Sequence, residues 1–118
     1  MRILLVEDDE MNIELFDAAL AADGHEIVVE RDGVSGEARA AEPFDVILLD
    51  IQLPRRNGLE VCRNLRARGV RLPIVALSAS VLPEEVARTT EAGFDLFLSK
   101  PISPANLRAA VRRVAEAA

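Results

Sequence analysis

Short, wholly apolar runs alternate along the chain with longer stretches in which apolar residues recur every three or four positions. Residues 2–6 (RILLV) and 46–50 (VILLD) are apolar at successive positions, so both faces must be covered; they predict buried strands. Residues 26–30 (EIVVE), 73–78 (PIVALS) and 95–99 (DLFLS) predict three more. The intervening stretches predict helices. One runs over 10–22, with Phe16, Ala19 and Leu20 at helical spacing and Gly24 beyond as a stop. A short one over 34–41 must end before Pro43. A third opens at Gly58 and runs to about Arg68, with Leu59, Cys62 and Leu65 at three-residue steps and Gly69 as its stop. A fourth spans 83–92, with Pro83 in its first turn and Gly93 at its end. The last opens with Ser103 as N-cap and Pro104 as first helical residue, and runs close to the C-terminus.

Five strand–helix units in succession predict an α/β fold, (βα)5. Strands apolar on both faces require a parallel sheet with helices on each side. Right-handed crossovers favour a doubly wound, flavodoxin-like five-stranded sheet of order 2-1-3-4-5. A chain of 118 residues suits one domain, expected over 1–118. A sheet of this kind takes its ligands at the carboxyl ends of its strands, near the switch point between strands 1 and 3.

Composition narrows the function classes. Half of the residues are apolar and 29% are charged, the balance of a water-soluble domain. The net charge of −6 and the near absence of aromatics (four Phe, no Trp, no Tyr) argue against a nucleic-acid partner, which needs basic faces and stacking platforms. One histidine, His25, excludes a histidine metal cluster; in its Gly24-His25 turn it is expected to be exposed and inert. One cysteine, Cys62, excludes an internal disulfide and suits a reducing compartment. No apolar run approaches the roughly 18 residues of a membrane span, and the apolar start is too short for a signal peptide. The expected location is the cytoplasm, with no membrane partner.

The carboxyl edge of the expected sheet gathers unusual chemistry. Glu7, Asp8 and Asp9 follow strand 1, Asp50 ends strand 3, Ser78 ends strand 4, and Lys100 follows strand 5. Carboxylates, a hydroxyl and an ammonium thus meet from four parts of the chain. Crowded carboxylates repel unless a cation sits among them, and oxygen ligands suit Mg²⁺. Transfer of a phosphoryl group to a carboxylate, giving an acyl phosphate, needs positioning and charge neutralisation more than a general base. Asp9 reads first as the cap of the first helix, with direct contact to the metal as its second reading. Cys62 lies on an apolar stripe and reads as core. The arginines around the third helix (Arg55, Arg56, Arg63, Arg66, Arg68, Arg71) read as a solvated face.

These pieces resemble a known family. Glu7-Asp8-Asp9, Asp50-Ile51-Gln52-Leu53-Pro54 with Gly58, Ser78-Ala79 and Lys100-Pro101, in this order and spacing, resemble the receiver domains of two-component response regulators, the CheY-like fold, over the whole chain. The tracts at 6–12, 50–54 and 99–103 are most similar to stand-alone DivK-type regulators and to receiver modules of hybrid kinases. The resemblance implies that Asp50 accepts a phosphoryl group from a histidine kinase or a histidine phosphotransfer protein. It implies Mg²⁺ held by Asp8, by Asp50 and by the backbone carbonyl of Gln52, with Glu7 acting through water. It makes Ser78 the hydroxyl that moves toward the phosphoryl group and Lys100 its ionic partner, ahead of a Lys100-Pro101 bond that is often cis. Phe97 takes the place of an aromatic switch residue that is more often Tyr, so its readout is packing. Met11 and Leu15, four apart beside the acidic edge, are expected to form with Pro101 and Ile102 an apolar patch that docks the phosphodonor. Output then runs through a downstream protein partner on strand 5 and its flanking helices, unless the chain is part of a longer protein.

Two other readings stay open at this level. A small Mg²⁺-dependent phosphatase with an Asp nucleophile usually carries a second acid two residues on, where this chain has Gln52. A phosphorylation-independent adaptor of the same fold has no need for the charge cluster.

Overall fold

A computed structural model describes residues 1–117. Five strands alternate with five helices: β1 (Arg2–Val6), α1 (Glu10–Ala21), β2 (Glu26–Glu30), α2 (Gly33–Arg39), β3 (Val46–Asp50), α3 (Gly58–Ala67), β4 (Ile74–Ser78), α4 (Pro83–Ala92), β5 (Leu96–Ser99) and α5 (Pro104–Ala117). All pairings are parallel and the sheet order is β2-β1-β3-β4-β5, as the sequence pattern requires.

Why the central strands carry no polar alternation is clear from their two faces. Ile3, Leu5, Val46, Leu48, Val75 and Leu77 pack on one side with Phe16 and Leu20 of α1 and Leu107 and Val111 of α5. Leu4, Val6, Ile47, Leu49, Ile74 and Ala76 pack on the other with Val61, Cys62 and Leu65 of α3. Period-two alternation sends successive residues to opposite cores. Cys62 is one of these packed residues, fully buried, and burial pushes its thiol up to about 11. It remains a neutral, unreactive thiol at ordinary pH.

Element ends differ from the pattern by one or two residues, with local causes. β4 starts at Ile74 rather than Pro73, because proline has no N–H for the ladder; its carbonyl still accepts from Ile47 at 3.0 Å. β5 starts after Asp95, whose carboxylate turns back to accept from the Ile74 amide at 2.8 Å. α2 starts one residue early, since Asp32 caps it through the Ser35 amide at 2.8 Å. Ser103 Oγ accepts from the Asn106 amide at 3.1 Å, as its N-cap position requires. His25 is half-buried rather than exposed, with Nδ1 3.2 Å from the N-terminal nitrogen. Among the described residues no helix is long and apolar enough to cross a membrane.

Parallel register sets the functional edge. Val6 lies opposite Leu49, Asp50 opposite Leu77, and Ser78 opposite Ser99. The residues at or just beyond these positions are therefore neighbours at one end of the sheet: Glu7, Asp50, Ser78 and Lys100.

Candidate functional site

The acidic residues after β1 divide by geometry. Strand alternation turns Glu7 inward, where it is fully buried, and leaves Asp8 exposed. Asp50, at the end of β3, is 4% exposed. Carboxylate oxygens of Glu7, Asp8 and Asp50 lie within 4.8 Å of one another. Asp9 is not part of this cluster. Its carboxylate accepts from the Met11 and Asn12 amides at 2.9 and 3.3 Å, which makes it the N-cap of α1. The helix-cap reading of Asp9 is therefore seen in the structure, through Oδ1 alone.

Lys100 reaches over this cluster from the far side. Its Nζ donates to Asp50 Oδ2 at 2.9 Å and stands 2.6 Å from Glu7 Oε1. The second contact is an ion pair. Lys100 is the partner of this buried oxygen, Glu7 Oε1. Glu7 Oε2 accepts from the Asp9 amide at 3.1 Å. Burial raises the Glu7 carboxyl above its ordinary range; the Asp50 charge adds to that, and Lys100 and the Asp9 amide oppose it. Burial works against the Lys100 charge, but its contacts to Glu7 and Asp50 prevail and hold its pKa above the ordinary value. The Lys100-Pro101 bond is cis.

Asp50 is also held from below. Its Oδ1 accepts from the Gln52 amide at 3.0 Å, so the loop after β3 folds back over the carboxylate. Gly58 seals that fold: its amide donates to the Ile51 carbonyl at 2.8 Å. A Cβ at Gly58 would stand 2.1 Å from the Asp50 carbonyl oxygen. This contact explains the glycine by close approach rather than by backbone angle.

Ser78 is buried beside the site, and its Oγ accepts from the Ser80 amide at 3.1 Å. A cavity of about 110 Å³ separates it from Phe97, with Gln52, Leu59, Glu85 and Arg88 around the mouth. Sequence reasoning found Ser78 and Phe97 but not Arg88 or Glu85 of α4, whose approach depends on how that helix lies across the sheet.

The four residues of the expected docking patch differ in exposure. Met11 is 79% exposed and Leu15 43%, and Pro101 is exposed. Ile102 is not: it is 5% exposed and packs in the core with Leu107 and Phe16. The chain enters α5 just after it, so an apolar residue at 102 is drawn under the helix rather than onto the surface.

The site suits a small hard cation. Its donors are carboxylate oxygens of three clustered acids, and the single ammonium of Lys100 pairs with two of them. The arrangement is matched by known proteins. A family model described as the response regulator receiver domain fits residues 3–112. The chain belongs to this family. Over 112 residues it is 43% identical to the two-component response regulator ORR41 of Oryza sativa subsp. japonica, covering 91% of this chain and 88% of the rice protein. It is 39% identical over 113 residues to the response regulator protein PmrA of Pseudomonas aeruginosa, covering 95% of this chain. Here it spans about half of the relative's length, 51%. Among solved structures, the receiver domain of a sensor histidine kinase from Pseudomonas aeruginosa, with a magnesium ion coordinated in its active site cleft, superposes with a TM-score of 0.88 at 34% identity. That match covers 98% of this chain and 97% of the other. Receiver domains are signalling domains rather than classical enzymes; phosphorylation by histidine kinases and Mg²⁺ binding are general to the family.

Proposed function

We propose that this receiver domain, spanning 1–118, accepts a phosphoryl group on Asp50 and signals through altered protein contacts. The observation that carries the reading is the held Asp50 carboxylate: one oxygen on the Gln52 amide, the other on Lys100, with Glu7 and Asp8 alongside. A carboxylate oxygen attacks phosphorus, the bond from phosphorus to the donor's imidazole nitrogen breaks, and an acyl phosphate remains on Asp50 while the imidazole leaves. Lys100 compensates charge on the phosphoryl oxygens, and Ser78 donates to one of them. Asp8, Asp50 and the Gln52 carbonyl would hold Mg²⁺ directly and Glu7 through water, and the ion supplies the remaining charge neutralisation. The domain's only chemistry is this transfer and the later hydrolysis of its own acyl phosphate. Uptake of one phosphoryl from acetyl phosphate, dependent on Mg²⁺ and on Asp50, is the test.

Readout runs through Ser78 and Phe97, which both line a cavity of about 110 Å³. As Ser78 turns toward the phosphoryl group, Phe97 repacks. A groove of about 460 Å³ lined by Phe97, Ser99, Asn106 and Arg113 runs along the same face and supports it as the surface for a downstream protein.

The donor is a histidine kinase or a histidine phosphotransfer protein, docking on Met11, Leu15 and Pro101. Replacing Met11 and Leu15 together by Asp is expected to slow transfer from the donor protein at least roughly tenfold, as loss of an apolar anchor pair does. Labelling by acetyl phosphate, which needs no docking, should stay at the wild-type rate. Equal rates from the donor protein would remove this patch from the account.

A further inference from the structure

We propose that Glu37 and Arg56 form a clamp that positions the loop after Asp50, and with it the Gln52 carbonyl, for cation binding. The inference rests on the phospho-acceptor reading and adds a positioning pair outside the acidic edge.

Glu37 lies on α2 and is 3% exposed, an unusual place for a carboxylate. It is fully engaged. Oε1 accepts from Asn64 Nδ2 at 3.0 Å and pairs with Arg56 Nη1 at 3.0 Å. Oε2 accepts from Arg68 Nη2 at 2.8 Å. Asn64 belongs to α3 and Arg68 caps its C-terminus, so those two contacts join helix to helix. Arg56 belongs to neither helix. It lies in the loop of residues 51–57 that also carries Gln52, and its pairing ties that loop to α2.

The loop needs such a tie. Arg55 adopts a positive φ of 71°, a strained conformation for a long side chain. The Arg56 amide closes a turn onto the Pro54 carbonyl at 2.8 Å, and the Gly33 amide of α2 donates to the same carbonyl at 3.1 Å. A Cβ at Gly33 would stand 1.8 Å from the Arg56 carbonyl oxygen, so α2 and the loop are in direct backbone contact. Arg55 Nη1 lies 3.7 Å from Asp32, the α2 cap. Of the two ion pairs that join the loop to α2, Glu37–Arg56 is the more buried. It holds the turn shut four residues from the Gln52 carbonyl, with the Gln52 amide on Asp50 fixing the other side.

A pair that only stabilised the fold would change stability and leave cation affinity alone. The Arg68 contact to the same carboxylate supplies that control, because Arg68 does not touch the loop. The full chain is titrated with Mg²⁺ alone, read by amide NMR shifts at Ile51 and Gln52, and thermal midpoints are measured in parallel. Arg56→Gln and Glu37→Gln are each expected to weaken Mg²⁺ roughly tenfold, the usual effect of losing an outer-shell support. The double variant should be no weaker than either single one. Arg68→Gln should lower the midpoint but keep wild-type affinity. Hydrogen exchange at the amides of Gln52 and Leu53, measured without Mg²⁺, should quicken in Arg56→Gln and not in Arg68→Gln. Arg56 is partly exposed, so its variant keeps the test open should Glu37→Gln fail to fold. Equal affinity losses in Arg56→Gln and Arg68→Gln, or none in Arg56→Gln, would overturn the clamp. Wild-type protein that binds no Mg²⁺ would overturn the site reading beneath it.

Discussion

Gly58→Ala is expected to destabilise the domain by about 3 kcal/mol, because the new methyl enters the backbone rather than a gap. The 2.1 Å separation from the Asp50 carbonyl leaves no side chain able to yield. Either the start of α3 or the end of β3 must move. α3 is anchored by Val61, Cys62 and Leu65 in the core, and β3 is paired on both edges, so neither moves cheaply. For a domain of this size the thermal midpoint should fall by about 10 °C or more. Phosphoryl uptake should fall with it, since the strain is applied to Asp50 itself. A midpoint within about 3 °C of wild type would mean that the edge is far softer than its geometry indicates.

The second large effect is expected at Lys100. Lys100→Met removes the cation that pairs with Glu7 and Asp50 and, among the described residues, leaves these two buried carboxylates without an ionic partner. Breaking a buried pair costs about 3–5 kcal/mol, and partial solvation of Lys100 puts this case at the low end. The pH dependence has a defined sign. Burial, and then the Asp50 charge, already hold Glu7 above the ordinary carboxylate range, and Lys100 opposes both. Without Lys100 the folded-state value rises further above the unfolded one. A carboxyl so raised contributes stability below its unfolded pKa that is lost as pH rises through the folded value. The deficit of Lys100→Met should therefore be larger near pH 8 than near pH 5, and added Mg²⁺ should reduce it. Labelling by acetyl phosphate should slow roughly a hundredfold, as on loss of a positioned oxyanion donor. Urea unfolding at the two pH values checks the first claim; a deficit that grew on acidification would contradict it.

The fold was legible because its signal is coarse and repeated. β3 reads apolar at consecutive positions since Ile47 and Leu48 enter opposite cores, and that pattern has few alternatives to a covered parallel sheet. The acidic edge was legible once the strand order was known, because each functional residue sits at a strand end. What failed had to do with the direction of side chains beyond those ends. Ile102 follows an exposed Pro101 but passes beneath α5. The arginines near α3 were read as a solvated face, yet Arg56 and Arg68 meet on a buried Glu37. A signal for that was present: Glu37 lies three residues after Val34 and three before Ala40, on the stripe that α2 turns inward. An acid at such a place needs cations, and only the fold reveals which ones reach it.

The central claim is that Asp50 is chemically modified, and intact mass tests it most directly. The full chain incubated with acetyl phosphate and Mg²⁺ should gain the mass of one phosphoryl group. The gain should vanish when Mg²⁺ is omitted and in Asp50→Asn. An adduct that persisted in Asp50→Asn would place the chemistry elsewhere. No adduct on the wild-type chain would contradict the account outright, in favour of a phosphatase if small phosphomonoesters turned over and of a phosphorylation-independent adaptor if they did not.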